Sequence, residues 1–224
     1  MSLDSPFNFL QGSMEARSNS KNALAMSKYM KNLFQFYGIK SPERKIIFRN
    51  FWSEFKPRYN DETVKLIKAL WLEDHRESQY LAMDLLGRVL KQLSSGDLEI
   101  IEWLIVNKSW WDTVDFLAAN PVGVILKKHP EIIDSNISRW MESDNMWLQR
   151  TCLLFQLKYK DSLDFELLSE CILRLKGGKE FFINKAIGWS LRQHSKIKPE
   201  EVRSFLAENP DLHSLSRREA SKYL

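Results

Sequence analysis

The chain has 224 residues, 44% of them hydrophobic and 28% charged, and its 33 Lys+Arg against 29 Asp+Glu leave a net charge of +4. This is the make-up of a folded globular chain, which excludes wholesale disorder, collagen and coiled-coil fibres. No apolar run approaches the roughly 20 residues of a membrane-spanning helix. Two cysteines, Cys152 and Cys171, make no disulfide framework, and no charged-then-apolar signal peptide opens the sequence, so a reducing cytoplasm is the expected compartment.

Residues 1–13 read MSLDSPFNFLQGS and are followed by Met14. A Gly-Ser pair ahead of a second methionine has the form of a cloning scar, so the expectation is an expression leader or disordered N-terminus over 1–13. The alternative is a short genuine helix around Phe7–Leu10. Beyond Met14 the pattern is helical almost throughout. Leu24, Met26, Tyr29, Met30, Leu33 and Phe34 recur at spacings of three and four, and Gly38 stops the segment. Ser41-Pro42-Glu43 starts the next helix, with proline at its first turn, and Ile46, Ile47, Phe51 and Phe55 carry it to the breaker Pro57. Further helices are predicted over Asp61–Trp71, Glu77–Leu93, Asp97–Val106, Trp110–Ala119, Val122–Lys128, Glu131–Met141, Asn145–Tyr159, Asp164–Leu175, Lys179–His194, Pro199–Ala207 and Ser214–Tyr223. No segment alternates as a strand does, and the short links suit antiparallel helix pairs.

Tyr80, Trp111, Trp147 and Phe182 each fall near the start of the second helix of a pair, at steps of about 31 to 36 residues, the range of HEAT and armadillo hairpins. The predicted fold is therefore all-α, a curved α-solenoid forming a single domain over 14–224, with an irregular helical bundle as the alternative. In a solenoid the second helices line the concave face. Three or four residues after each aromatic come Asp84, Asp115, Arg150, and Lys185 with Ala186; Trp189 and Arg192 follow further along the last helix. Tryptophans and cations on one face suit a nucleic-acid surface, where cations neutralise phosphates and rings pack on sugars or bases. Aromatics at helical spacing also serve as core.

His75, His129, His194 and His213 form no metal-binding spacing, and the chain has neither GxGxxG nor GxxxxGK[ST], so no metal or nucleotide cofactor is expected. Cys152 and Cys171 read as buried, and Trp110 as core. Asp112 reads as a helix-start residue, and Lys185 and Arg192 as either solvated charges or phosphate contacts.

The stretches KYMKN (28–32), GIKSPER (38–44), VNKSWWDTVD (106–115), SDNMWLQR (143–150), FQLKYK (155–160), KEFFINKAIGWSLR (179–192) and LSRREA (215–220) closely resemble the AlkD family of HEAT-like-repeat DNA alkylation repair proteins. The resemblance runs from about Tyr29 to the C-terminus. It implies a monomer that holds double-stranded DNA in a concave basic cleft and, in active members, an N-glycosylase releasing 3- or 7-alkylpurines. Residue by residue it implies Asp115 as the catalytic carboxylate, Trp111 and Trp189 as sugar-packing rings, Arg150 as a grip on the DNA backbone, and Tyr29 as a residue near the lesion. Lys185 and Arg192 join the DNA-binding set, and DNA repair places the protein in the cytoplasm, nucleoid-associated when bound.

Typical members carry a further amphipathic helix before the one bearing Tyr29. The matching stretch, Met14–Asn22 (MEARSNSKN), is short and polar, which predicts a missing cap and leaves two functions open. One is excision of cationic alkylpurines. The other is a catalytically silent protein of the same fold that recognises duplex or branched DNA; a protein-binding scaffold would leave the motifs unexplained.

Overall fold

The computed structural model describes residues 4–224; residues 1–3, the start of the expected leader, lie outside the described residues. The described residues are helical, with no strand among them and one isolated bridge between Gln35 and His75. The all-α class is as predicted. The chain falls into two compact units, Met1–Gln92 and Leu93–Leu224.

The first unit contains α1 (Asp4–Glu15), α2 (Ser20–Tyr29), α3 (Ser41–Phe55), α4 (Asp61–Leu72) and α5 (Arg76–Val89). Over residues 4–13 the expectation of disorder is corrected in favour of the alternative, a helix that includes Phe7–Leu10, and a helix does precede the one that bears Tyr29. Leu10 and Met14 are buried, and the Phe9 ring meets Phe55 edge-on at 5.4 Å and Phe51 at 6.4 Å. Two apolar residues one helical turn apart, with an aromatic beside them, suffice to dock a three-turn helix, and α1 packs on α3 and α4.

In α2 the outcome is reversed. The helix ends at Tyr29, before the predicted stop at Gly38, because Lys31 and Asn32 take left-handed φ values of 60° and 59°. It buries none of its own residues, and Leu24, Tyr29 and Leu33 are exposed. Gly38 instead shapes the loop beyond. Its φ is +90°, and a Cβ there would lie 2.1 Å from the Asn19 carbonyl oxygen, so only glycine fits. The same loop is pinned by the buried Glu77, whose carboxylate accepts backbone N–H bonds from Tyr37, Gly38 and Ile39 at 3.1, 2.9 and 3.0 Å. These amides would otherwise be buried without acceptors.

The second unit contains α6 (Leu98–Val106), α7 (Trp111–Leu117), α8 (Gly123–Lys128), α9 (Ile133–Glu142), α10 (Met146–Leu154), α11 (Phe165–Leu175), α12 (Phe181–Ser195), α13 (Pro199–Glu208) and α14 (Ser214–Ala220). Between α7 and α8 the chain passes through a π-helical stretch, Ala118–Val122, whose wider turn accommodates Pro121. The predicted helices over Trp110–Ala119 and Val122–Lys128 are thus joined through it. Side-chain caps set the later starts: Asn145 accepts from Trp147 and Leu148, and Asp164 from Leu167.

The centre of this unit is α10, which packs against α6, α7, α9, α11 and α12. Leu148 and every residue from Arg150 to Leu154 are buried. A helix enclosed on all sides is normally apolar throughout; the charged exception here is Arg150.

Candidate functional site

Arg150 is 3% exposed, and a guanidinium so placed needs partners for its donors. It reaches Asp115 on α7, donating from Nε to Oδ1 at 2.7 Å and from Nη2 to Oδ2 at 2.9 Å. The two parallel bonds form a bidentate pair, the geometry in which arginine and carboxylate fit best. Nη1 donates to the backbone carbonyl of Phe182, at the start of α12. Three helices therefore meet at one guanidinium, joined by side chains that lie more than thirty positions apart in the sequence.

The Asp115 carboxylate is largely buried, with 16% of its side chain exposed. Burial pushes its pKa up from the ordinary aspartate value; the hydrogen bonds and charge of Arg150 act the other way, and Asp112 adds a small upward push. Both oxygens accept from Arg150, as only the carboxylate anion does without giving up an acceptor. Trp111, half-buried, opens α7 one turn before Asp115 and so shares its helical face.

An aromatic triangle lies beside this pair. Trp110 meets Phe182 edge-on at 5.0 Å and Trp147 at 5.8 Å, and Trp147 meets Phe182 at 5.2 Å. These rings sit at the starts of α7, α10 and α12. The ring that the α7 segment brings to the triangle is Trp110, the neighbour of the Trp111 from which the sequence spacing is counted.

Trp189, half-buried on α12, lies two turns after Phe182 on the same stripe. Lys185 and Arg192 flank it, one turn on each side, and neither is a freely solvated charge. Both reach Glu219 on α14, Lys185 Nζ at 2.9 Å and Arg192 Nη1 at 2.6 Å. The sequence reading passed over Glu219, whose only signal is that it is the single acid of LSRREA. Tyr29 belongs to the first unit and is 72% exposed. Asp84, in the first unit as well, is tied to Arg44 at 3.1 Å, and Arg44 lies over the Tyr80 ring.

Of the sequence-predicted residues, the structure joins Asp115 to Arg150 directly and links Lys185 to Arg192 through Glu219. The grip on DNA that the resemblance implies for Arg150 has to reckon with a guanidinium that spends three of its five donors inside the protein. Cys152 and Cys171 are both buried, as expected, and burial raises both thiols, Cys171 to about 11. Such thiols are unreactive at neutral pH. No helix among the described residues is long and apolar enough to cross a membrane.

Comparison with known proteins points the same way as this geometry. Residues 10–224 match the family model described as DNA alkylation repair enzyme. Among solved structures the chain is similar to a predicted DNA alkylation repair enzyme from Enterococcus faecalis, with 33% sequence identity and a TM-score of 0.85 over 92% of this chain and 96% of that one. No curated protein matches the sequence. A match that takes in both units and begins inside α1, together with so close a structural neighbour, establishes that the chain belongs to the DNA alkylation repair enzyme family.

Proposed function

We propose that this protein is a DNA N-glycosylase that binds duplex DNA as a monomer and hydrolyses the N-glycosidic bond of cationic 3- or 7-alkylpurines. The observation that carries this reading is the Asp115–Arg150 pair, a largely buried carboxylate held in one orientation by two hydrogen bonds. A purine alkylated at N3 or N7 already bears positive charge. It leaves without a general acid, and the chemistry requires no cofactor. As the bond breaks, positive charge develops on the deoxyribose, and a fixed carboxylate in a water-poor setting stabilises that charge strongly. Asp115 retains lone pairs beyond the two that Arg150 uses, which lets it orient the attacking water as well.

Trp111, one turn before Asp115, and Trp189 on α12 present indole faces to the sugar and add cation–π attraction. Lys185, Arg192 and Tyr29 contact the DNA, and Arg150 serves as the positioning residue for Asp115. The contacts go to sugar and phosphate, so the base need not enter a pocket as it does in most base-excising enzymes. The test is a base-release assay on duplex DNA containing 7-methylguanine, run beside a binding titration on plain and branched duplexes. Release of 7-methylguanine supports the glycosylase. Tight binding without release replaces it with the catalytically silent DNA binder, and absence of binding at low salt removes both.

A further inference from the structure

We infer that Lys185, Arg192 and Lys222 form a single phosphate clamp, assembled by the buried carboxylate of Glu219, that takes one backbone phosphate of duplex DNA. The inference rests on the DNA-binding reading above and adds to it two residues, Glu219 and Lys222, that neither the sequence motifs nor the comparisons assign.

The side chain of Glu219 is 5% exposed and lies against α12. It can do so because of Gly188: a Cβ at that position would fall 2.5 Å from the Glu219 Cβ and 2.8 Å from the Ser216 carbonyl oxygen. Gly188 lies one turn after Lys185 and one turn before Arg192, so the notch it leaves is centred between two cations on one helical face. Oε1 receives Lys185 at 2.9 Å, and Oε2 receives Arg192 at 2.6 Å. Lys222, just beyond α14, reaches the two oxygens at 3.0 and 2.9 Å. Hydrogen bonds from Lys185 and Lys222 hold the Glu219 carboxyl down at about 2, so it stays charged.

A strap between α12 and α14 needs one cation. Here three meet one anion, and neither α12 nor α14 carries another Asp or Glu, so a positive surplus remains. The three side chains keep 39%, 23% and 46% of their surface in solvent, in the order Lys185, Arg192, Lys222. Each ammonium has three donors, and Glu219 leaves some of them turned outward. Unheld, three neighbouring cations would repel and splay; the buried anion keeps them converged, which is the arrangement a phosphodiester oxygen needs. Trp189, the neighbour of Gly188, places a sugar-packing ring beside the clamp.

The test is the affinity of the full-length protein for plain duplex DNA across a salt series, for wild type, Lys222→Gln and Glu219→Gln. Lys222→Gln should weaken low-salt binding by on the order of tenfold and lower the slope of log K against log salt by about one. Glu219→Gln adds one unit of positive charge, so diffuse electrostatics alone predicts tighter binding, whereas a clamp that has lost its organiser binds more weakly. Circular dichroism and thermal melting check that Glu219→Gln is folded, and if it is not, Lys222→Gln, at an exposed side chain, decides alone. A wild-type salt slope in Lys222→Gln, or tighter binding by folded Glu219→Gln, overturns the clamp and leaves the DNA reading standing. A wild-type protein that binds no duplex at low salt overturns both.

Discussion

Two carboxylates in the unit from Leu93 onward are gripped by basic side chains, and their pKa values shift in opposite directions. Asp115 meets one arginine, itself buried, and the cost of burial outweighs that single partner, so its pKa is raised. Glu219 meets three cations that keep contact with water, and its pKa falls to about 2. Desolvation dominates at Asp115, and hydrogen bonds from charged partners dominate at Glu219. The α7–α10 contact is a balanced pair of one carboxylate and one guanidinium. The α12–α14 contact carries a positive surplus. A developing sugar cation calls for the first, and a phosphate backbone for the second.

Breaking the balanced pair should give the largest effect. Arg150→Ala leaves Asp115 largely buried without its bidentate partner and the Phe182 carbonyl without its side-chain donor. Removing one member of a buried pair costs about 3–5 kcal/mol, to be read from denaturant unfolding. Arg150→Lys should recover only part of this, since an ammonium cannot make two parallel bonds. A loss below about 1 kcal/mol, the scale of exposed pairs, would mean that the pair is not the keystone of α10. Asp115→Asn comes next. It keeps the shape and removes the charge, so release of 7-methylguanine should drop by on the order of 10²–10³. Affinity for DNA should stay similar or improve slightly, because the carboxylate repels phosphates in the ground state and helps only as the sugar cation forms.

How much of this was legible in the sequence depends on how local each cause is. The start of α3 at Ser41-Pro42 and the span of α4 from Asp61 follow from neighbours in the chain, and both appear where the sequence predicts. Apolar spacing predicts the helix α2, yet Leu24 on it and Leu33 just beyond it are exposed, because spacing shows that a helix has an apolar face and not what covers it. In α1 the error ran the other way. Phe9 and Leu10 were read first as leader, with a short helix only as the alternative, and the rings that receive Phe9 stand more than forty residues on, at Phe51 and Phe55. The site divides likewise. The roles proposed for Asp115, Trp111 and Trp189 rest on motif resemblance, whereas the contact of Glu219 with Arg192 joins residues 27 positions apart on two helices. No local spacing shows that.

The notch at Gly188 offers a smaller test of the same comparison. Gly188→Ala forces α14 away from α12, since the added methyl meets the Glu219 Cβ and the Ser216 carbonyl oxygen well inside contact distance. Overpacking of this kind costs about 1–3 kcal/mol, measurable by thermal or denaturant unfolding. A variant as stable as wild type would show that the two helices are not held at the close approach that brings Glu219 between its cations.

The smallest expected effect is the pH dependence of stability, where the two carboxylates should pull in opposite directions. Glu219 falls from an unfolded value of 4.5 to about 2 in the fold. Its contribution is complete above 4.5 and is lost as the pH drops toward 2. Asp115 is raised above 3.8. Its contribution is complete below 3.8 and is lost as the pH rises through the raised folded value. Unfolding of wild type, Glu219→Gln and Asp115→Asn, followed from neutral pH into acid, separates the two. The gap between wild type and Glu219→Gln should close as the pH falls from 4.5 toward 2, while wild type should gain on Asp115→Asn over its own acid range. Salt sharpens the contrast. Lys185 and Lys222 keep much of their surface in water, so added salt should shrink the Glu219 trend, but it should leave that of Asp115 nearly intact because Arg150 is sealed within the fold. Two trends of the same sign, or two that salt weakens equally, would show that both carboxylates answer to one environment.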